Sequence, residues 1–521
     1  RLEVHFILRS DSPRTVAGYN RGRVTWIESK MGVKRLMLKK VMSNGKCHQG
    51  ISRLLVGLLI ALFPLAGRSA ETTSVSKRPN IVLIMADDMG YEALSVNGSE
   101  SCKSPNLDRI AKTGIRFTNC FANPLCTPSR AKIMTGQYNV RNYVKFGVLD
   151  RGQVTFAHQL KKVGYRTCIA GKWQLGKQAD SPQHFGFQQS CLWQHTRSGR
   201  SRKDGKAVDR RFVNPLLEIN GQEKDFTGGE YGPQVCTDFI CKFIEQNHDQ
   251  PFLVYYPMIL THCPFDPTPD SRDWDPKRRG STTYKGDRND PQRHFVDMVA
   301  YADKAVGQIQ KQLEKSGVRE NTLFLFTGDN GTDKPIVTPW NGRKVVGGKG
   351  TMTDEGTRVP MIASWPAGIS HPGTVVDDLV EFVDVLPTLC EVSGAKLPSD
   401  DPGDGVSLLP VFKGRSEARQ KDWIYIWYRG QVMVRNKRYA LVAKADGSQP
   451  RLTRYEGSFA GMELKDAELS KAARNVKKEF RGILTQLGKT RLTGVSPETR
   501  AQVEKQAEKQ QKKNKKNANR K

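Results

Sequence analysis

Short apolar runs set the rhythm of this chain. Ile81-Val-Leu-Ile-Met-Ala86 is continuous and rich in branched side chains, which predicts a strand buried on both faces, and it delivers Asp87-Asp88. Residues 104–114 open on a capping serine and close on a glycine, so they predict a helix. Ile115-Arg116-Phe117 then predicts a second strand leading towards Cys126, where a short helix begins. Phe156, Leu160 and Val163 share one face of a helix over 155–164, and a strand follows over 165–170, ended by Gly171-Lys172-Trp173. The alternation continues with a helix over 235–246, a strand over 252–256 running into Thr261-His262, and a helix over 297–315. The strand over 322–327 delivers Gly328-Asp329-Asn330, and 379–390 predicts a helix packed under the sheet. Alternating strands and helices predict an α/β fold with a large, mostly parallel sheet flanked by helices. Polar residues at the C-terminal ends of such strands are where these folds place ligands.

Beyond a Pro/Asp/Gly-rich hinge at 398–405 the rhythm shortens. Runs over 423–427, 431–434 and 439–442 predict an antiparallel meander, followed by a helical segment near 463–486. The expected organisation is a targeting region over 1–76, a large α/β domain over 77–395, a smaller C-terminal antiparallel subdomain over 396–500 and a tail over 501–521.

Charge changes this picture only at the ends. The 521 residues carry 83 Lys and Arg against 53 Asp and Glu, a formal +30. Residues 1–70 hold 13 basic and 3 acidic side chains, and residues 501–521 hold 8 and 2, so over half of the excess lies outside the predicted body. The tail has no apolar period and is expected to be disordered, solvated rather than adhesive to acidic polymers. From Met31 a basic stretch, the apolar run 54–65 and small residues to Ala70 follow the order of a secretory signal peptide. That run falls short of the roughly 20 residues of a membrane span. The expectation is therefore a secreted or periplasmic protein with no stable membrane span, read from Met31 as its start. The 10 cysteines form no CxxC pair and no zinc spacing, so their pairing is left open. Aromatic residues are not interleaved with the basic runs, which argues against a nucleic-acid partner.

Candidate chemistry sits at the predicted strand ends. Adjacent carboxylates at Asp87 and Asp88 repel one another unless something neutralises them. With Asp329 and Asn330 they form a set of hard oxygen donors, which favours Ca²⁺ or Mg²⁺ over zinc. Lys172, His262 and Lys349 (in Gly-Gly-Lys-Gly) are unremarkable one at a time, and their weight comes from occurring together.

The run Cys126-Thr-Pro-Ser-Arg-Ala-Lys-Ile-Met-Thr-Gly136 resembles the signature of type I sulfatases, C-[ST]-P-x-R-x-x-x-x-T-G. The likeness extends from about Arg78 to Tyr439. It takes in Arg78 to Tyr91, Gly171 to Gly176, Gly348-Lys349-Gly350 with Glu355 to Pro360, and Asp384 to Thr388. This resemblance implies the alkaline phosphatase-like fold and the hydrolysis of sulfate monoesters. It implies that a separate maturation enzyme converts Cys126 to formylglycine, whose hydrate is the nucleophile. It further implies that Asp87, Asp88, Asp329, Asn330 and the matured Cys126 hold Ca²⁺ (or Mg²⁺), and that Arg130 orients the hydrate. Lys172, Gln174, His262 and Lys349 would hold the sulfate, and His262 would protonate the leaving alcohol. One hydroxyl of the hydrate attacks sulfur and the other later expels sulfate, a route that serine lacks.

Two departures stand out. Gln174 occupies a position where the family usually has histidine, which leaves open the base for the second step, since an amide cannot shuttle a proton. Cys263 follows His262. The implied substrate is a sulfated small molecule or polysaccharide, a carbohydrate or an aryl ester. Loops over 188–232 and 264–292, with Arg197, Arg200, Arg202, Lys203, Lys277, Arg278 and Arg279, are candidates to meet it. Two other readings remain at this stage: a formylglycine-dependent phosphonate or phosphodiester hydrolase, and a non-catalytic basic protein that binds polyanions.

Overall fold

The computed structural model describes residues 78–518 apart from 194–195, 197–199, 204–205, 282–289 and 457–458. The expected signal segment, the start at Met31 and Arg197 lie outside the described residues.

Ten strands form the main sheet, in the spatial order Thr374–Glu381, Ile115–Phe121, Arg358–Ser364, Thr322–Gly328, Asn80–Ala86, Phe252–Pro257, Arg166–Lys172, Gln189–Trp193, Leu216–Ile219 and Gln222–Asp225. Only Arg358–Ser364 and Leu216–Ile219 run against the other eight. The central strand Asn80–Ala86 is buried along its whole length. Val82, Ile84 and Ala86 face a core with the helices Pro105–Lys112, Gly232–Asn247 and Pro291–Lys315. Ile81, Leu83 and Met85 face the opposite core, with the helices Cys126–Thr135, Phe156–Lys162 and Val385–Ser393. Alternating side chains along a covered strand produce this division, so Ile81 to Ala86 are all apolar.

One expected helix is corrected. Leu379 to Glu381 continue the strand Thr374–Glu381, which pairs with Ile115–Phe121, and the helix begins only at Val385. Pairing with a neighbouring strand outweighs any local preference of that run.

The second sheet is an antiparallel meander of five strands, Ile424–Tyr428, Gln431–Arg435, Tyr439–Lys444, Arg451–Arg454 and Met462–Leu464. Its first hairpin turns through Arg429 and Gly430, with φ of 48° and 76°, the mirror-image turn that suits strand twist. The helix Lys471–Gly488 covers this sheet with Phe480 and Leu484, starting later than the segment expected near 463 because Met462–Leu464 is a strand.

The tail also differs from expectation. Pro497–Ala518 is helical. Its Ala, Gln, Glu and Lys residues lose little side-chain freedom in a helix, so it does not need an apolar face to be helical. Its first turn is anchored, since Thr499 Oγ1 donates to Asp150 and Arg500 Nε donates to the Leu492 carbonyl at 3.0 Å. Among the described residues, no helix is long and apolar enough to cross a membrane.

Candidate active site

The parallel register puts Ala86 beside Gly328, so the carboxylates that follow each strand emerge side by side. Gly328 is required there, because a Cβ would lie 2.0 Å from the Met89 carbonyl. Asp329 N donates to the Ala86 carbonyl at 2.8 Å, and Asp88 N donates to Asp329 Oδ1 at 3.0 Å. Asp88 makes the turn with φ of 60°, a left-handed conformation that aspartate tolerates better than most residues. Asn330 Nδ2 donates to Asp88 Oδ1 at 2.9 Å. The neighbouring strand Phe252–Pro257 continues into the His262 turn, which is held by mutual backbone bonds between Asp87 and the Leu260 and Thr261 peptides at 2.7 and 2.6 Å.

Cys126 opens the helix Cys126–Thr135 and is buried beneath these strand ends. Arg130, one turn further on, donates to Asp329 Oδ2 and to the Lys172 carbonyl, both at 2.9 Å. Lys172 closes its own strand and donates to Asp87 Oδ2 at 2.6 Å. Lys349 reaches Asp88 Oδ2 at 2.5 Å, and its loop is tied down by Lys349 N to the Thr332 carbonyl at 3.0 Å and Gly350 N to the Pro124 carbonyl at 2.8 Å. His262 Nε2 lies 3.7 Å from Asp88 Oδ2.

Metal-ligating atoms therefore converge. Candidate ligand atoms of Asp87, Cys126 and Asp329 lie within 4.8 Å of one another, and so do those of Asp87, Asp88 and His262. Asp87 Oδ1 and Asn330 Oδ1 are buried without a hydrogen-bond partner. Three carboxylates face two ammonium groups and one guanidinium, which would balance if all three acids were ionised. Burial would raise Asp87, but positive neighbours led by Lys172 hold it well below the usual carboxylate range. Burial and the charge of Asp87 push Asp329 up to about 8, and burial also raises Asp88 despite Lys349. Burial pushes the Cys126 thiol above its ordinary value despite Lys172, so the encoded thiol is a poor nucleophile. His262 is pushed well below its ordinary value by burial, then by Lys349 and Lys172, so its imidazole is neutral.

Nine of the ten predicted site residues meet in this one region, and the tenth, Gln174, is placed only by its position two residues beyond Lys172. Gln174 follows Lys172 and Trp173 with φ of 57°, and its buried amide oxygen has no partner. Cys263 is buried with its sulfur 3.6 Å from His262 Nδ1. Of the basic loop residues, Lys277 is exposed. Arg278 and Arg279 pair with Asp266 at 3.0 Å and Asp225 at 3.1 Å, which uses them within the protein. Sequence reasoning missed three side chains behind the site. Thr332 Oγ1 accepts from Gly90 N at 3.1 Å and donates to Glu92 at 2.5 Å, and Arg211 touches His262. Thr332 carries no sequence signal, and Arg211 lies in a loop whose basic residues were expected to meet substrate rather than to brace a site histidine.

Comparison with known proteins agrees with this geometry. Residues 79–395 match the family model described as Sulfatase, and residues 346–485 match N-sulphoglucosamine sulphohydrolase, C-terminal. Arylsulfatase A of Homo sapiens is 33% identical over 407 residues, covering 71% of this chain and 76% of the relative. N-acetylgalactosamine-6-sulfatase of Mus musculus is 32% identical over 385 residues, covering 68% and 70%. Among solved structures, one described as in complex with its substrate D-glucosamine-2-N,6-O-disulfate shares the fold with a TM-score of 0.62 at 23% identity, covering 80% of this chain and 98% of that one. With its fold, its convergent strand ends and these relatives, the chain belongs to the sulfatase family and is a sulfuric ester hydrolase.

Proposed function

We infer that this enzyme hydrolyses a sulfated carbohydrate or aryl sulfate, using Cys126 matured to formylglycine beside a Ca²⁺ ion, with Mg²⁺ as the alternative. The observation that carries this reading is the meeting of Cys126 with Asp87 and Asp329 within 4.8 Å. The encoded thiol stands where the hydroxyls of the matured side chain would be. Asp87, Asp88, Asp329 and Asn330 fit a hard divalent cation, because the set is rich in oxygen and two of its buried oxygens are unsatisfied. Bound there, the cation supplies positive charge that offsets repulsion between an anionic nucleophile and an anionic ester.

The chain's own residues do the rest. Arg130, fixed by Asp329 and the Lys172 carbonyl, presents a guanidinium one helical turn beyond position 126 and orients the hydrate. Lys172 and Lys349 direct ammonium groups at the oxygens of the sulfate. His262 offers a hydrogen bond to the sulfate or to the leaving oxygen, and Gln174 supplies an amide that can donate but cannot relay a proton. Maturation by a separate enzyme and export to the periplasm or cell exterior belong to the same reading. The polyanion-binding alternative gives way to catalysis as the main function.

Two measurements test the proposal. Peptide mass spectrometry over 117–130 is expected to find position 126 lighter by about 18 Da than cysteine, the exchange of H₂S for oxygen. Unmodified thiol in active protein would refute the nucleophile. In parallel, 4-nitrophenyl sulfate should be turned over faster than nitrophenyl phosphodiesters, and the reverse order would favour the phosphodiesterase or phosphonate reading that Gln174 invites.

A further inference from the structure

His262 faces the site through Nε2, while Arg211 Nη1 lies 2.8 Å from its other ring nitrogen, Nδ1. The same guanidinium donates through Nε and Nη2 to both oxygens of Asp209, at 2.9 and 2.7 Å. Its Cζ lies 4.0 Å from the centre of the Trp193 ring. Arg211, Asp209 and His262 are all buried. The guanidinium is therefore clamped on two sides, with its third edge directed at the imidazole.

A guanidinium has only donors and keeps its proton at any accessible pH. Nδ1 must then present its lone pair to Arg211. The Cys263 carbonyl also lies against Nδ1. That oxygen can only accept and so favours a proton on Nδ1, but the guanidinium bond is charge-assisted and the stronger of the two, so Nδ1 keeps its lone pair for Arg211. A ring carrying protons on both nitrogens would set an imidazolium against the guanidinium, which like-charge repulsion opposes. The one ring proton therefore belongs on Nε2.

We propose that Arg211, braced by Asp209, is a positioning residue that fixes His262 as the Nε2–H tautomer, so that His262 donates to the substrate and takes no part in holding the cation. The hydrogen bond at one imidazole nitrogen decides what the other can do. A nitrogen that carries hydrogen has no lone pair for a metal. His262 lies close enough to Asp87 and Asp88 to count as a ligand, yet its tautomer excludes it and leaves the acids and Asn330 as the donor set. The consequence for substrate rests on the proposed roles of His262 and the acids, whereas the tautomer itself does not.

The test uses full-length, cation-loaded enzyme labelled with ¹⁵N in histidine, with the His262 signals assigned by their loss in H262Q. The expected spectrum has unprotonated Nδ1 and protonated Nε2 at His262. R211M is expected to shift this ring to a mixture of tautomers and to lower kcat on an alkyl or sugar sulfate by about 10- to 100-fold, the range typical of outer partners of site histidines. KM should move less than kcat, and R211K should recover part of the loss. A protonated Nδ1 in the unmodified enzyme, or an R211M spectrum unchanged from it, overturns the proposal. If R211M does not fold, the wild-type spectrum and D209N, which frees the guanidinium without removing it, decide the matter. An enzyme with the expected tautomer but no sulfate hydrolysis would sink the functional reading and leave the tautomer standing.

Discussion

Glu92 is buried behind the Asp87-Asp88 turn, with one oxygen on Thr332 and the other without a partner. Burial pushes its carboxyl up from 4.5 to about 7. A raised value means that the folded state holds the proton more tightly than the unfolded chain does. The resulting stability is fully present below pH 4.5 and is lost as pH rises through about 7. At about 1.4 kcal/mol per unit, the full loss amounts to about 3 kcal/mol. Glu92→Gln should therefore resemble wild type at pH 4 and be more stable at pH 8.5, as measured by denaturant unfolding. A second prediction concerns Gln174. Gln174→His should add to the kcat profile a limb near the ordinary imidazole value of about 6.5 while leaving KM nearly unchanged. An unaltered profile would mean that this position takes no part in the second step.

Among the elements, the helix Cys126–Thr135 bears the most. Its Lys132 points away from the site, is buried, and donates to Glu381 at 2.5 Å and to the Tyr425 carbonyl of the C-terminal sheet at 2.8 Å. Glu381 also meets Lys421 at 3.0 Å. Removing one member of such a buried set leaves charge uncompensated, so Lys132→Met should cost about 3 kcal/mol in stability, read by denaturant titration. The remaining Lys421 contact keeps the loss from being larger. These contacts also explain what the sequence could reveal. Strands 80–86, 252–257 and 322–328 were legible because both faces are covered and their middles, 81–86, 252–257 and 323–326, are unbroken apolar runs. The acids following them were legible because paired charges at a strand end need a reason. Lys132, Thr332 and Arg211 were not legible, since their partners lie far off in sequence and only folding brings them together. Leu379 to Glu381 were misread for the same reason, being claimed by a distant strand.

At the scale of the whole molecule, charge and metal separate cleanly. Deleting 501–521 removes 8 basic and 2 acidic residues but keeps Thr499 and Arg500, which anchor the last helix. Turnover of a small aryl sulfate should be unchanged, while elution from an anionic resin should shift to lower salt. A fall in turnover would mean that the tail reaches the site. Chelation should act the other way, abolishing turnover and lowering Tm together, with Ca²⁺ restoring both. A ligand present at 1,000 times its Kd contributes about 4 kcal/mol to the folded state. An unchanged Tm after exhaustive chelation would count against a structural cation at Asp87, Asp88, Asp329 and Asn330.

Position 126 is enclosed once the polypeptide has folded, with only 2% of its surface reachable and its backbone already committed to a helical turn. On the proposed maturation, a separate catalyst would find this side chain out of reach in the folded protein, so oxidation would have to come first in time and folding second. A molecule that folded before it was processed would be trapped as an inert twin of the active one, alike in shape and differing by a single side chain. The specific activity of any preparation would then record how a race between two events was decided during synthesis.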